Sequence, residues 1–218
     1  MLIPAFGEET DKFVKQCCDK KIPFAFMNSE HESEDNLFYI GLPLYESGYQ
    51  AAQLINKKGK ILIVNIISES DNLQHLAKKE AGFRGWFKDN KIKTVIEKVD
   101  IHSVDQQHIN KKLQAALEEH PDVQAIFVTS SYTFLVAGFL EIHPGKKIRL
   151  VGHDFLDRNI EYLKKDLIDF LICQKLAEQG YRAIMMLYQH LVFNTALDKV
   201  YPTQIDIVMR ENHLYYNN

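Results

Sequence analysis

Lys60-Ile61-Leu62-Ile63-Val64-Asn65-Ile66-Ile67 is an almost unbroken apolar run, rich in β-branched residues and too short for a typical helix, so it reads as a strand. Consecutive apolar positions, such as Ile61 to Val64, bury both faces of a strand. That is the habit of a parallel sheet covered by helices on both sides. On either side of this run, short β-rich segments alternate with longer stretches of helical period at the spacing of βαβ units. Strands are expected at Met1–Phe6, Ile22–Met27, Leu37–Gly41, Lys60–Ile67, Thr94–Val99, Gln124–Thr129, Ile148–Gly152, Asp169–Cys173 and Thr203–Val208. The fold class is α/β.

The intervening stretches keep one apolar face at 3.6-residue spacing: Leu44, Gly48, Ala51 and Ile55; Ile109, Leu113, Ala116 and Leu117; Leu176, Gly180, Ala183, Ile184, Leu187 and Leu191. Turn residues fall before strands at Lys57-Lys58-Gly59, His120-Pro121-Asp122 and His143-Pro144-Gly145. With 218 residues, 46% hydrophobic and 25% charged, the chain can bury a core as one large domain or two small ones. Lys and Arg total 26 against 29 Asp and Glu, a net charge of −3, which gives no global attraction to a polyanion. The three cysteines, with Cys17 and Cys18 adjacent, do not make a secreted disulfide framework, and a cytoplasmic protein is expected. No apolar run approaches the roughly 20 residues that cross a bilayer, and the start lacks the basic-then-apolar order of a signal peptide.

Most motifs that carry chemistry are missing from the sequence. Gly59-Lys60 and Gly145-Lys146 lack the first glycine and the Ser or Thr of a phosphate loop, and no G-x-G-x-x-G follows a strand. His102 and His108 are separated by five intervening residues with no Cys near them, so surface or capping histidines are a plainer reading than a metal site. Ser130-Ser131 lacks the flanking glycines of a nucleophile elbow, and helix capping is its simpler use. No nucleophile and base sit at credible spacing, so no catalytic residue, metal or cofactor is expected.

What remains is polar chemistry at the carboxyl ends of expected strands, where an open α/β sheet presents its crevice. Ser68-Glu69-Ser70-Asp71-Asn72 follows one strand and leads to a helix with His75 and Lys79; Thr129-Ser130-Ser131, His153-Asp154 and Cys173-Gln174 follow three others. Together they can form a cup of donors and acceptors suited to a polyhydroxylated ligand. Taken singly, each is equally an N-cap or loop residue.

The order of segments resembles the effector-binding core of the LacI-type transcriptional regulators, a fold shared with periplasmic sugar-binding proteins. Phe38-Tyr39-Ile40-Gly41 followed by Tyr45-Glu46-Ser47-Gly48-Tyr49-Gln50-Ala51-Ala52 is similar to that family's strand and Gly-containing helix. Lys79-Glu80-Ala81-Gly82-Phe83 resembles its Arg-x-x-Gly-aromatic helix, Val151-Gly152-His153-Asp154 its Val-Gly-aromatic-Asp strand end, and Phe170-Leu171-Ile172-Cys173-Gln174 with Gly180 its crossover. The resemblance implies two Rossmann-like lobes of the periplasmic-binding-protein-like type I fold, the N-terminal lobe truncated. It casts Asp154 as the carboxylate accepting ligand hydroxyls, with Gln174 beside it. Lys79 stands where the family usually has Arg and cannot supply a planar fork; His75 lies one turn earlier on the same face. Ser130 matches a frequent Asn. Pro43 stands where the family often has an acidic sugar ligand and offers neither acceptor side chain nor N–H. The candidate ligand-binding set is Asp154, Gln174, Lys79, His75, Ser130 and His102.

The same resemblance implies an N-terminal lobe of residues 1–58 plus 174–197 and a C-terminal lobe of 59–173 plus 198–218, with three crossings between them. DNA binding would belong to a helix-turn-helix headpiece outside this chain. Met1–Phe6 resembles the third strand of the family's first subdomain, so an edge next to it is expected to be covered by another chain or rearranged. The expected partners are a small sugar-like effector and a second copy of the chain, with Tyr45, Tyr49 and Phe193 as candidate dimer surface and core packing the plainer use of at least one. A solute-binding protein of a transport system is the alternative.

Overall fold

The computed structural model describes residues 1–4, 7–29, 31, 33–56, 59–68, 73–145 and 147–216. The expected strand residues Ala5 and Phe6, the turn residues Lys57, Lys58 and Lys146, and the strand-end residues Glu69, Ser70, Asp71 and Asn72 lie outside them.

Two sheets organise the chain. The larger runs in the order β4 (Val95–Ile101), β3 (Lys60–Ile66), β5 (Val123–Val128), β6 (Arg149–His153), β7 (Phe170–Cys173), β9 (Asp206–Val208). Every pairing in it is parallel except that of β9 with β7. The smaller is parallel, in the order β1 (Phe26–Met27), β2 (Tyr39–Gly41), β8 (Val200–Pro202). Seven helices are described: α1 (Gly7–Asp19), α2 (Leu44–Ile55), α3 (Leu73–Asp89), α4 (Gln106–Glu119), α5 (Thr133–Ile142), α6 (Asp157–Lys164) and α7 (Leu176–Phe193).

The apolar run that opened the sequence reading is β3, and it is buried on both faces. Successive side chains alternate between them. Leu62, Val64 and Ile66 pack with Ile109 and Leu113 of α4, Phe134 and Phe139 of α5 and Leu163 of α6. Ile61 and Ile63 pack on the other side with Ala51, Ala52 and Ile55 of α2 and Phe83, Trp86 and Phe87 of α3. Burying each such aliphatic side chain stabilises the fold by about 1.5–3 kcal/mol. At the sheet edge β4 carries Glu97, Lys98 and Asp100, charges that discourage pairing with another chain. In the small sheet Ala25, Met27, Phe38 and Ile40 face Ala183 of α7, while Phe24, Phe26 and Tyr39 face Cys17 and Val14 of α1.

Helices α2 and α3 touch backbone to backbone. A Cβ on Gly48 would run into the Lys79 carbonyl, and one on Gly82 into the Tyr45 carbonyl. Glycine at both positions sets the spacing of the helices and so the placement of Lys79.

The structure shifts the expected boundary between the lobes in two places. Residues 44–55 were expected in the N-terminal lobe, but α2 packs its apolar face on α3 and the large sheet, so the chain leaves the small sheet at Leu42-Pro43. The segment 198–218 was expected whole in the C-terminal lobe, but Val200–Pro202 pairs with β2 while Asp206–Val208 pairs with β7. Of the expected strand Thr203–Val208 only Asp206–Val208 is a strand, and Val200–Pro202, just before it, forms a separate short strand in the small sheet. The chain passes between the sheets after β2, β7 and β8. At its start, Leu2 makes one parallel bridge to Phe26, its N–H donating to the Ala25 carbonyl and its carbonyl accepting from Met27.

Candidate functional site

The ends of β5, β6 and β7 bring four of the expected residues into one cluster. Asp154 directly follows β6 and takes a left-handed backbone conformation, φ 71°, which is uncommon outside glycine and tends to mark functional positions. Its N–H donates to the Ile172 carbonyl at 3.0 Å. Gln174, just beyond β7, donates from Nε2 to Asp154 Oδ1 at 3.3 Å. Lys79 is buried on α3 and donates from Nζ to the Thr129 carbonyl at 2.8 Å. Ser130 is buried, and its Oγ has no hydrogen-bond partner among the described residues.

The electrostatics follow from burial. Burial raises the Asp154 carboxyl above its ordinary value, and the Lys79 charge and the Gln174 hydrogen bond oppose that rise. His153 faces the other way. Burial, helped by the Lys79 charge, holds its imidazole well below its ordinary value, so the ring is neutral. Its Nδ1 lies 3.1 Å from the Val128 carbonyl. A carbonyl can only accept, so the proton belongs on Nδ1 and Nε2 is left as an acceptor. That Nε2 is buried without a partner among the described residues. A buried acceptor of this kind calls for a hydroxyl or N–H donor.

Asn159 of α6 holds the strand-end loops in place. Its Nδ2 is within hydrogen-bonding distance of the Ser131, His153 and Asp154 carbonyls at 2.9–3.1 Å, and its Oδ1 accepts from the Phe134 N–H at 2.8 Å. The capping expected of Ser130-Ser131 thus falls to Asn159 at the start of α5, whose N-cap position, Tyr132, makes no side-chain cap. Gln179, buried on α7, links two crossings by donating to Gln174 Oε1 and Thr203 Oγ1, both at 3.4 Å.

His75 lies on α3 one turn before Lys79, partly buried. His102 is not brought into the cluster. It is exposed after β4 at the sheet edge, three strand spacings from β6, about 14 Å at the usual separation. Pro43 is the N-cap of α2, where its carbonyl accepts the Ser47 N–H. His153 belongs to the strand ends named from the sequence but not to the candidate ligand-binding set, and Gln179, Gln74 and Lys78 belong to neither. His153 occupies the aromatic position of its motif, and Gln179 was legible only as a polar residue on a helix side that the structure buries. Gln74 and Lys78 line a cavity of about 720 Å³ with Asn36, Phe26, Tyr39 and Val200.

A family model described as periplasmic binding protein domain matches residues 1–195. The chain belongs to that family. Its structure is the periplasmic-binding-protein-like type I fold, an α/β architecture with parallel sheets. Among solved structures this periplasmic binding protein domain is similar to a protein from Bacteroides fragilis described as a candidate LacI transcriptional regulator, at 26% identity and TM-score 0.86, covering 99% of this chain and 76% of that one. It is also similar to GanP, a glucose-galactose binding protein from Geobacillus stearothermophilus, at 22% identity and TM-score 0.81, covering 96% and 75%. A solute binding protein of an ABC transporter from Burkholderia graminis, solved with D-arabinose, aligns at 19% identity and TM-score 0.81 over 98% and 75%. No curated protein matches in sequence. Among the described residues, this periplasmic binding protein domain has no helix long and apolar enough to cross a membrane and no group of three His, Cys, Asp or Glu placed to hold a metal ion.

Proposed function

We propose that these residues form the effector-binding core of a LacI-type transcriptional regulator, taking a small sugar or sugar derivative between its two lobes. The observation that carries this reading is the strand-end cluster. Asp154 directly follows His153, whose Nε2, like Ser130 Oγ beyond the end of β5, is buried with no hydrogen-bond partner among the described residues. Hydroxyls, each both donor and acceptor, answer this set directly. The likeness to the Bacteroides fragilis protein supports the regulatory role. Binding here needs no bond making. The effector biases lobe closure through its differential affinity for the open and closed forms. The protein acts in the cytoplasm as a homodimer, and DNA is engaged by a headpiece outside these residues. Exposed Tyr45 and Phe193 suit the dimer surface, whereas Tyr49 of α2 packs against the core.

A second reading, a solute-binding protein of a sugar transporter, is favoured by the likeness to GanP and to the arabinose-bound protein. The coding sequence upstream of the Met1 codon separates the two, since a helix-turn-helix belongs to the regulator and a secretion signal to the transport protein. Ligand binding is tested by thermal shift against sugars, sugar phosphates and nucleosides. A ligand at about 100 times its Kd stabilises by roughly 2.7 kcal/mol. Asp154→Ala is expected to abolish the shift; an equal shift in that variant would move the site elsewhere.

A further inference from the structure

We propose that the ligand is a saccharide of at least two rings, the second lying in the cavity beside the first turns of α3. This rests on the sugar reading above and deepens it. Helix α3 separates two polar surfaces. Lys79, with His75 a turn before it, faces the strand-end cluster, and Gln74 and Lys78, one residue earlier in each turn, line the cavity of about 720 Å³. Neighbouring residues of a helix point about 100° apart, so the two surfaces meet around one helix and one extended molecule can touch both.

The small sheet explains why a single ring is not enough. Strand β2 is followed by Leu42-Pro43, which presents no hydrogen-bonding side chain to a ring held at Asp154. Several polar residues of that half line the cavity instead. Asn36, Ser33, Glu34 and His31 line it, with the almost wholly buried Phe26 and Tyr39 behind them. Lys199 closes one end, its ammonium held by the Glu34 and Asn36 carbonyls at 3.1 and 2.7 Å. Amide, hydroxyl, carboxylate and ammonium groups match a sugar ring, whose rim carries hydroxyls that both donate and accept. The volume lies within the usual range for small-molecule pockets, about 300–1,000 Å³.

Isothermal titration of the full chain with matched pairs tests this: D-glucose with cellobiose, D-galactose with β-1,4-galactobiose, L-arabinose with α-1,5-arabinobiose, and D-xylose with xylobiose. For at least one pair the disaccharide should bind one to one and at least about tenfold tighter than its monosaccharide. Val200→Trp, which fills the cavity from an exposed edge position, and Gln74→Ala, on the solvent side of α3, should each bring that ratio towards one. Asp154→Ala should weaken both members of the pair. A ratio near one in the wild type, a ratio that neither cavity variant moves, or two molecules bound per chain would overturn the second-ring subsite while leaving sugar binding at Asp154 standing. Failure of every sugar of either length to bind would overturn the sugar reading itself.

Discussion

Burial acts on His153 and Asp154 in opposite directions, and pH should resolve the two. The folded-state value of His153 lies well below its ordinary 6.5, so as pH falls the unfolded chain takes up a proton before the folded one. The stability held by the neutral ring is complete above about 6.5 and drains away as pH falls from there towards the folded value. Asp154 is raised above its ordinary 3.8, so the cost of ionising it in place grows as pH rises from about 3.8 through its folded value. Between about pH 7.5 and 5.5 the wild type should lose more Tm than His153→Phe. Parallel Tm curves for the two would show that the imidazole is not held neutral by the fold. The residues at this site were legible in the sequence to the extent that their chemistry is local. Asp154, Gln174 and Ser130 announce themselves as polar groups after apolar strands. His153 stands among them as well, but its role was not legible, because its lone acceptor exists only once Val128 has claimed the other ring nitrogen. His102 stood at a strand end too, but strand order, which no local pattern encodes, put it at the far edge.

At the scale of elements, the α2–α3 contact is the most demanding join. Gly48→Ala sets a methyl against the Lys79 carbonyl and should cost about 1–3 kcal/mol by overpacking, read as a lower urea midpoint at unchanged m-value. It should also weaken ligand binding, since Lys79 is carried on the displaced turn. The join between α6 and the strand-end loops makes a second test. Asn159→Ala strips partners from the Phe134 N–H and from carbonyls of two loops, with an expected loss of at least about 2 kcal/mol; a change under about 0.5 kcal/mol would mean the loops hold themselves. Strand β3 was readable because both its faces are covered, which forces apolar residues at successive positions. Strand β8 was not. Val200 is exposed, Pro202 ends the strand, and the pairing with β2 that makes it a strand spans more than 150 residues of sequence. The glycines of α2 and α3 were visible as motif letters, but that they face one another follows only from the packing.

For the whole molecule, a ligand held from both sheets should draw the lobes together. Small-angle scattering should give a smaller radius of gyration with the sugar found by thermal shift than without it, approaching the roughly 17 Å of a compact chain of this length. An unchanged radius would show that the sugar does not draw the lobes together. The three passages of the chain, after β2, β7 and β8, bear directly on that motion. One tether would let the lobes swivel and slide, and two would leave them free to rock about the line joining them. Three side by side act as a door hinge, leaving one easy rotation and resisting the rest. They also make the halves mechanically inseparable, since a protease cut at any single passage leaves the other two in place. Nicking the loop at Thr203–Ile205 should therefore loosen the hinge while the passages after β2 and β7 keep the two lobes joined, the piece beyond the cut depending on the pairing of β9 with β7.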